Sequence, residues 1–171
     1  MNTKATMTKK KSTALVLRCC AADMSSQNGF VWPGVGGIAT APDWKDNTDC
    51  GNGLHGWLYG QGDHSSSNYC TVEGAKWLVV EVAESDIRML GGKCKFPRCV
   101  VRFVGAMHEA AAYIIGHEER ANSCAVIGAA VSVRNNAMCA VGAFGTATAG
   151  DSGTATAGDS GTATAGDSGP A

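Results

Sequence analysis

Residues 146–169 read TATAGDSG TATAGDSG TATAGDSG, the same octad three times in succession, with Pro170 and Ala171 after it. The unit has a physical logic. Thr-Ala-Thr-Ala alternates with the period of two that a strand imposes, so threonines share one face and alanines the other. Gly-Asp-Ser-Gly is turn chemistry: glycine is expected to supply positive φ, while Asp and Ser bond nearby amides. Strand and turn in strict alternation predict a narrow β-solenoid with an alanine interior. The register also runs backwards in degenerate form, with strands at 130–133 and 138–141 and turns at 134–137 and 142–145. The larger apolar side chains of these early units suit a solenoid that docks on a globular cap. About five strands are expected, or about two to three coils if each coil uses two octads. Alanine buries little apolar area against an ordering cost of about 1–2 kcal/mol per backbone residue, so the apolar lead-in is needed for stability.

Upstream of the repeat the pattern changes. Thr13–Cys20 (TALVLRCC), Lys76–Ala83 (KWLVVEVA) and Cys99–Val104 (CVVRFV) are runs of strand formers. The unbroken Trp-Leu-Val-Val of the second predicts burial on both faces. Met107, Ala110, Ala111, Ile114 and Ile115 recur at helical spacing and predict one helix over 106–120. Residues 21–44 hold Gly29, Pro33, Gly34, Gly36, Gly37 and Pro42 and predict a loop. Its Phe30, Val31, Trp32 and Trp44 must find cover. Residues 50–69 are rich in glycine and polar groups and are expected to be a second loop, carrying His55, Trp57, Tyr59, Asp63, His64 and Tyr69. The expected architecture is an α+β globular domain over 13–121, followed by a short β-solenoid of octad repeats over 122–171. A basic, disordered tail with Lys4, Lys9, Lys10 and Lys11 is expected over 1–12.

Composition narrows the function only a little. Apolar residues make up 44% of the chain and allow a core; a net charge of −1 favours neither nucleic acid nor an acidic substrate. No run approaches the roughly eighteen apolar residues of a membrane span, and the lysine-bearing start shows no secretory cleavage site. The eight cysteines include the adjacent Cys19 and Cys20, and several lie in strand-like apolar runs. Free, reduced thiols in a cytoplasm are therefore expected. Cys50, His55, His64 and Cys70 could in principle ligate zinc, but their spacing fits no compact knuckle, and no metal ligand is assigned. Arg88, Lys93, Lys95, Arg98 and Arg102 cluster within fifteen residues and are the best candidate anion site.

Three resemblances bear on function. The segments Gly29-Phe30-Val31-Trp32-Pro33, Ala41-Pro42-Asp43-Trp44, Cys50–Gly56 with its Gly-Leu-His, 75–82 and Lys95-Phe96-Pro97-Arg98 resemble an uncharacterised bacteriophage and prophage family that ends in similar octads. That resemblance implies an accessory binding protein in the bacterial host cytoplasm, with a role in counter-defence. Arg18, His55, Tyr69 and Glu81 resemble the pattern of ADP-ribosyltransferases, which implies an NAD-using enzyme, although Glu81 sits inside a strand rather than in a dedicated later motif. The threonine lattice resembles that of ice-binding and ice-nucleating octad solenoids, which implies an ice-facing surface. The leading expectation is a non-catalytic binding protein holding a nucleotide-like ligand or a host protein through His55, Trp32, Trp44, Lys95, Arg98 and Arg102. No cofactor is assigned. Residues 122–171 are expected to drive homo-oligomerisation, with no membrane partner. The rivals are the transferase and a ligand-free structural or ice-binding solenoid.

Overall fold

The computed structural model describes residues 12–171, so all of the expected basic tail but Ser12 lies outside the described residues. Among the described residues the fold is mostly β-sheet with one α-helix and no closed barrel. Seven strands make one antiparallel sheet: β1 (Thr13–Cys20), β2 (Ile38–Thr40), β3 (Leu54–Leu58), β4 (Lys76–Ala83), β5 (Arg88–Met89), β6 (Cys94–Phe96) and β7 (Arg98–Gly105). They lie in the order β2-β7-β4-β1-β3-β6-β5. At the centre β1 pairs along its whole length with β4, from Thr13 opposite Ala83 to Cys20 opposite Lys76.

Both faces of this sheet are covered, which is why β1 and β4 read as continuous apolar runs. Leu15, Leu17 and Cys19 meet Trp57, Trp77 and Val79 on one face. Val16 and Cys20 meet Leu78, Val80 and Val82 on the other. The first face is covered by α1 (Met107–His117), through Ala110, Ala111 and Ile114. The helix begins where the Glu109 carboxylate accepts the Ala106 amide at 2.9 Å. It stops before the expected 120, because Glu118 turns to extended backbone and its carboxylate accepts the Leu15 amide of β1 at 3.1 Å. The second face is covered by the 21–44 loop, with Trp32, Ala39 and Ala41 buried there.

Loop was expected over 50–69, and the structure corrects it. Leu54–Leu58 is β3, hydrogen-bonded to β1 and β6. Its glycine is what disguised it. A Cβ on Gly56 would lie 2.5 Å from Val16 Cγ1 and 2.7 Å from the Leu17 carbonyl. Glycine here marks a close approach of two strands, not a turn.

Beyond a 3-10 turn over Glu119–Ser123 come five short strands: β8 (Ala130–Val133), β9 (Met138–Val141), β10 (Thr146–Ala149), β11 (Thr154–Ala157) and β12 (Thr162–Ala165). They stand at the positions the octad register predicts. Pairing is parallel and skips one strand each time. Thr146 faces Ala130 on one side and Thr162 on the other, a step of 16 residues. Likewise Thr154 faces Met138. The result is two small sheets, β12-β10-β8 and β11-β9. Alanines point inward: Ala147, Ala149 and Ala155 are buried in the same cluster as Leu17 and Ile114, joined by Val126, Ile127, Ala129 and Val141. His64 adds a lateral tie, with Nε2 at 3.3 Å from the Asp159 carboxylate and its ring edge-on to Phe144.

The turns depart from expectation in one respect. Positive φ falls on serine, at Ser152, Ser160 and Ser168 (φ 56, 56 and 63), and on Asn136 and Phe144 in the degenerate units. The turn glycines serve a different need. A Cβ on Gly158 would lie 2.7 Å from the Ala143 nitrogen, and one on Gly153 would lie 2.7 Å from the Ala137 carbonyl. Glycine is required because successive units stack backbone against backbone. Asx side chains knit the turns together: Asn135 Oδ1 accepts the Asp151 amide at 3.0 Å, and Asp151 Oδ1 accepts the Asp167 amide at 3.2 Å. No described helix is long and apolar enough to cross a membrane.

Candidate functional site

The repeat presents an outward lattice of hydroxyls. Because Ala147 and Ala149 point inward, Thr146 and Thr148 point out. In-register pairing then aligns Ser132, Thr148 and Thr164 in one file, and Ala130, Thr146 and Thr162 in the next. Neighbours along a file are about 4.8 Å apart, and the files are about 6.7 Å apart along the strand. The opposite sheet is less regular. Its files are Met138 with Thr154 and Ala140 with Thr156. Met138 is 79% exposed and interrupts the hydroxyls with a thioether. The two faces are therefore chemically unequal.

A second candidate lies in the sheet domain, where β1 ends and β3 begins. A cavity of about 550 Å³ is lined by Arg18, His55, Tyr69, Phe30, Leu54 and Lys93, among others. Gly51, Asn52 and Gly53 all have positive φ (95, 49 and 151) and bend the chain into β3 beside it. The Arg18 guanidinium stacks at 4.0 Å on Trp32 and donates to the main-chain oxygens of His55 (3.2 Å) and Cys19 (3.1 Å). Its Nε and the His55 Nε2 are buried without a hydrogen-bond partner. Burial pushes Arg18 down to about 10. Burial, with the charges of Lys93, Arg18 and Lys95, pushes His55 down to about 4. Cys19 Sγ lies 3.6 Å from Cys70 Sγ and 3.2 Å from Ser67 Oγ.

The other residues singled out from the sequence are scattered. Trp32 sits beneath Arg18 rather than in the cavity wall. Trp44 covers Gly53, where a Cβ would lie 3.0 Å from its ring, and lies 5.5 Å from the Lys95 ammonium. Lys95 is fully buried and pins the 47–51 loop, donating to Asn47 Oδ1 at 2.5 Å and the Asp49 carbonyl at 2.8 Å. Arg88 forms a fork with Asp46, and Arg102 one with Glu81. Arg98 is exposed at the start of β7, opposite Thr40. The five basic residues therefore form no single anion patch. The transferase pattern breaks as well: Arg18, His55 and Tyr69 share the cavity, but Glu81 lies opposite Leu15, bound to Arg102 in a separate depression with Tyr113, His117 and Arg120. Missed altogether was the orphaned state of Arg18. The one signal for it was a lone charge inside an apolar strand.

This sheet domain, an antiparallel seven-stranded sheet with one covering helix, is matched over residues 14–114 by the family model described as a domain of unknown function (DUF7666). The chain belongs to that family. It is also 37% identical over 117 residues to an ice nucleation protein of Pseudomonas fluorescens, covering 67% of this chain and 9% of that protein. It is 38% identical over 104 residues to one of Xanthomonas campestris pv. translucens (58% and 6%) and 39% identical over 104 residues to one of Pseudomonas syringae (59% and 9%). The chain thus spans less than a tenth of the length of these curated relatives. No solved structure matches.

These findings correct the leading expectation. The relatives are ice nucleation proteins, not phage or prophage proteins, so the counter-defence accessory role, the nucleotide-like or host-protein ligand and the transferase reading lose their basis. The cytoplasmic placement, drawn from the phage resemblance and from the cysteine pattern, is overturned by the same relatives.

Proposed function

We propose that residues 122–171 form a short two-sided β-solenoid, capped by the 13–121 domain, whose threonine files bind ice. The carrying observation is the in-register alignment of Ser132, Thr148 and Thr164 beside Thr146 and Thr162 on the β8-β10-β12 face. The spacings of about 4.8 and 6.7 Å set these hydroxyls in a regular two-dimensional lattice, as an ice-facing surface requires. Each threonine offers a hydroxyl to hydrogen-bond an ordered water and a methyl that shields the water beside it. The side chain is stiff at χ1, so the array holds its positions without further loss of entropy. The similarity to ice nucleation proteins supports the same reading.

Size sets what this face does. Nucleation demands a template large enough to hold a critical ice embryo, and three strands make a small one. These three strands by themselves therefore adsorb to ice, and nucleation grows as further strands extend the face. We assign that assembly to residues 122–171, whose parallel, in-register strands offer the same pairing to a strand of a second copy. Sedimentation across a range of concentrations tests this; a monomer throughout would sink it.

The ice face is tested by partition into growing ice and by droplet freezing. Thr148→Tyr with Thr164→Tyr should abolish partition and return freezing to the buffer value. Thr156→Tyr, on the sheet that Met138 interrupts, should change little. Equal losses on both faces, or no partition by the unaltered chain, would refute the assignment.

A further inference from the structure

Arg18 is a charge without a countercharge. Among the described residues it forms no ion pair, and its hydrogen-bond partners are two main-chain carbonyls. Asp43 lines the same cavity, but its carboxylate accepts from Asn52 Nδ2 at 3.3 Å, and Lys93 stands opposite it in charge. A guanidinium has five N–H donors. Two are used, which leaves Nε and one hydrogen on each terminal nitrogen. A buried, uncompensated cation is costly, and a protein that needed only packing at this position would carry an apolar side chain. The His55 Nε2 is a second buried polar atom without a partner at the same cavity. Around them lie Phe30, Leu54, Trp57 and Tyr69, within a volume typical of small-molecule sites.

We propose that this cavity binds a small organic carboxylate with an apolar or aromatic body, anchored on Arg18. Arg18 lines the cavity, and the guanidinium hydrogens not spent on the two carbonyls can pair with the oxygens of a carboxylate. One buried cation balances one negative charge, whereas a phosphate dianion would leave an excess in an enclosed site. The aromatic walls hold the body of the ligand. This site is independent of the threonine face and stands or falls separately from ice binding.

The test is calorimetric titration of the full chain with benzoate, benzyl alcohol and inorganic phosphate, alongside thermal melts. Benzoate should bind and raise the melting temperature, while benzyl alcohol and phosphate bind at least about tenfold more weakly. Arg18→Met, similar in length and uncharged, should lose benzoate by the same factor, yet melt no lower than the unaltered chain without ligand, because the buried charge is gone. If that variant does not fold, the comparison of benzoate with benzyl alcohol on the unaltered chain decides. No benzoate binding, equal binding of the alcohol, preference for phosphate, or undiminished binding by Arg18→Met would each overturn the proposal.

Discussion

Between the sheet and helix of the first region sit Trp57, Trp77, Leu17 and Ile114; between the two strand layers of the repeat sit Ala147, Ala149 and Ala155. Each large side chain contributes about 1.5–3 kcal/mol by leaving water, and each alanine far less. The repeat makes up the difference in other ways. Its backbones approach so closely that glycine is required in the turns at 142–145, 150–153, 158–161 and 166–169, and an Asx ladder links Asn135, Asp151 and Asp167. It also borrows a core, since its alanines join the cluster that holds the sheet and helix together. A poor core can be ordered when backbone hydrogen bonds are dense and one end is docked on a rich one.

The largest test is Trp57→Ala. The ring stacks on Trp77 at 5.8 Å and its Nε1 donates to the Asp63 carbonyl at 2.9 Å. Its loss should cost about 3–5 kcal/mol in urea unfolding. If the repeat depends on the borrowed core, circular dichroism of the repeat strands and fluorescence of the sheet should change in one transition. Two separated transitions would break the comparison, leaving the repeat self-sufficient.

Next in size is Arg120→Met. Arg120 forks onto Glu118 at 2.6 and 2.8 Å, bonds the Thr13 carbonyl at 2.8 Å and also pairs with Glu84. Without it the nearly buried Glu118 carboxylate keeps only the Leu15 amide and its own turn. The expected cost is about 2–3 kcal/mol, less than for a fully buried pair because Arg120 is partly exposed. Burial raises the Glu118 pKa, but bonds from Arg120 and the backbone outweigh it and hold the carboxyl below its usual range. The folded state thus binds this proton less readily than the unfolded one. The stabilisation is full above the unfolded value of about pH 4.3 and is lost as pH falls from there through the lower folded-state value. Urea midpoints at neutral and acid pH should converge for the two proteins; a constant gap would remove Glu118 from the account.

Legibility in the sequence followed side-chain periodicity. The five repeat strands and the helix were readable because alternation or a 3.6-residue stripe marked them, and β1, β4 and most of β7 because unbroken runs of strand formers did. β3 was not, because Gly56 answers to the backbone of β1 across from it, a contact no local pattern reveals. The short β2, β5 and β6 carry two or three residues each, too few for a period. The transferase resemblance grouped Arg18, His55, Tyr69 and Glu81, and the structure gathers only the first three; the basic residues of 88–102 were grouped by nearness in sequence, and their distribution over β5, β6, β7 and the turn between separates them. Met138 escaped notice, although it decides which threonine face is regular.

Smaller effects come from glycines in the two regions. Gly158→Ala forces a methyl to within 2.7 Å of the Ala143 nitrogen and should cost about 1–3 kcal/mol. Gly116→Ala, in the helix with no atom within 4 Å of the new Cβ, should gain about 0.5–1 kcal/mol. Thermal melts of the two variants read this difference in sign. Two losses would mean that the helix face is crowded in solution; two gains would mean that the repeat units do not stack as closely as the backbone distances require.

Ser152→Gly has the smallest expected effect and sharpens the point most. Ser152 holds φ at 56, a conformation that costs a non-glycine residue about 1–2 kcal/mol. Glycine removes that strain but adds about 0.5–1 kcal/mol of backbone entropy to the unfolded chain, so the net gain should be no more than about 1 kcal/mol. Ser152→Val carries the same φ with a β-branched side chain and should lose stability by a comparable amount. The contrast with Gly158→Ala separates two uses of a small residue. At 152 the backbone angle is constrained and the space is not; at 158 the space is constrained and the angle is not. If Ser152→Gly gained several times the expected amount, strain in the serine turns would be the main weakness of the repeat, and its thin alanine core would not be.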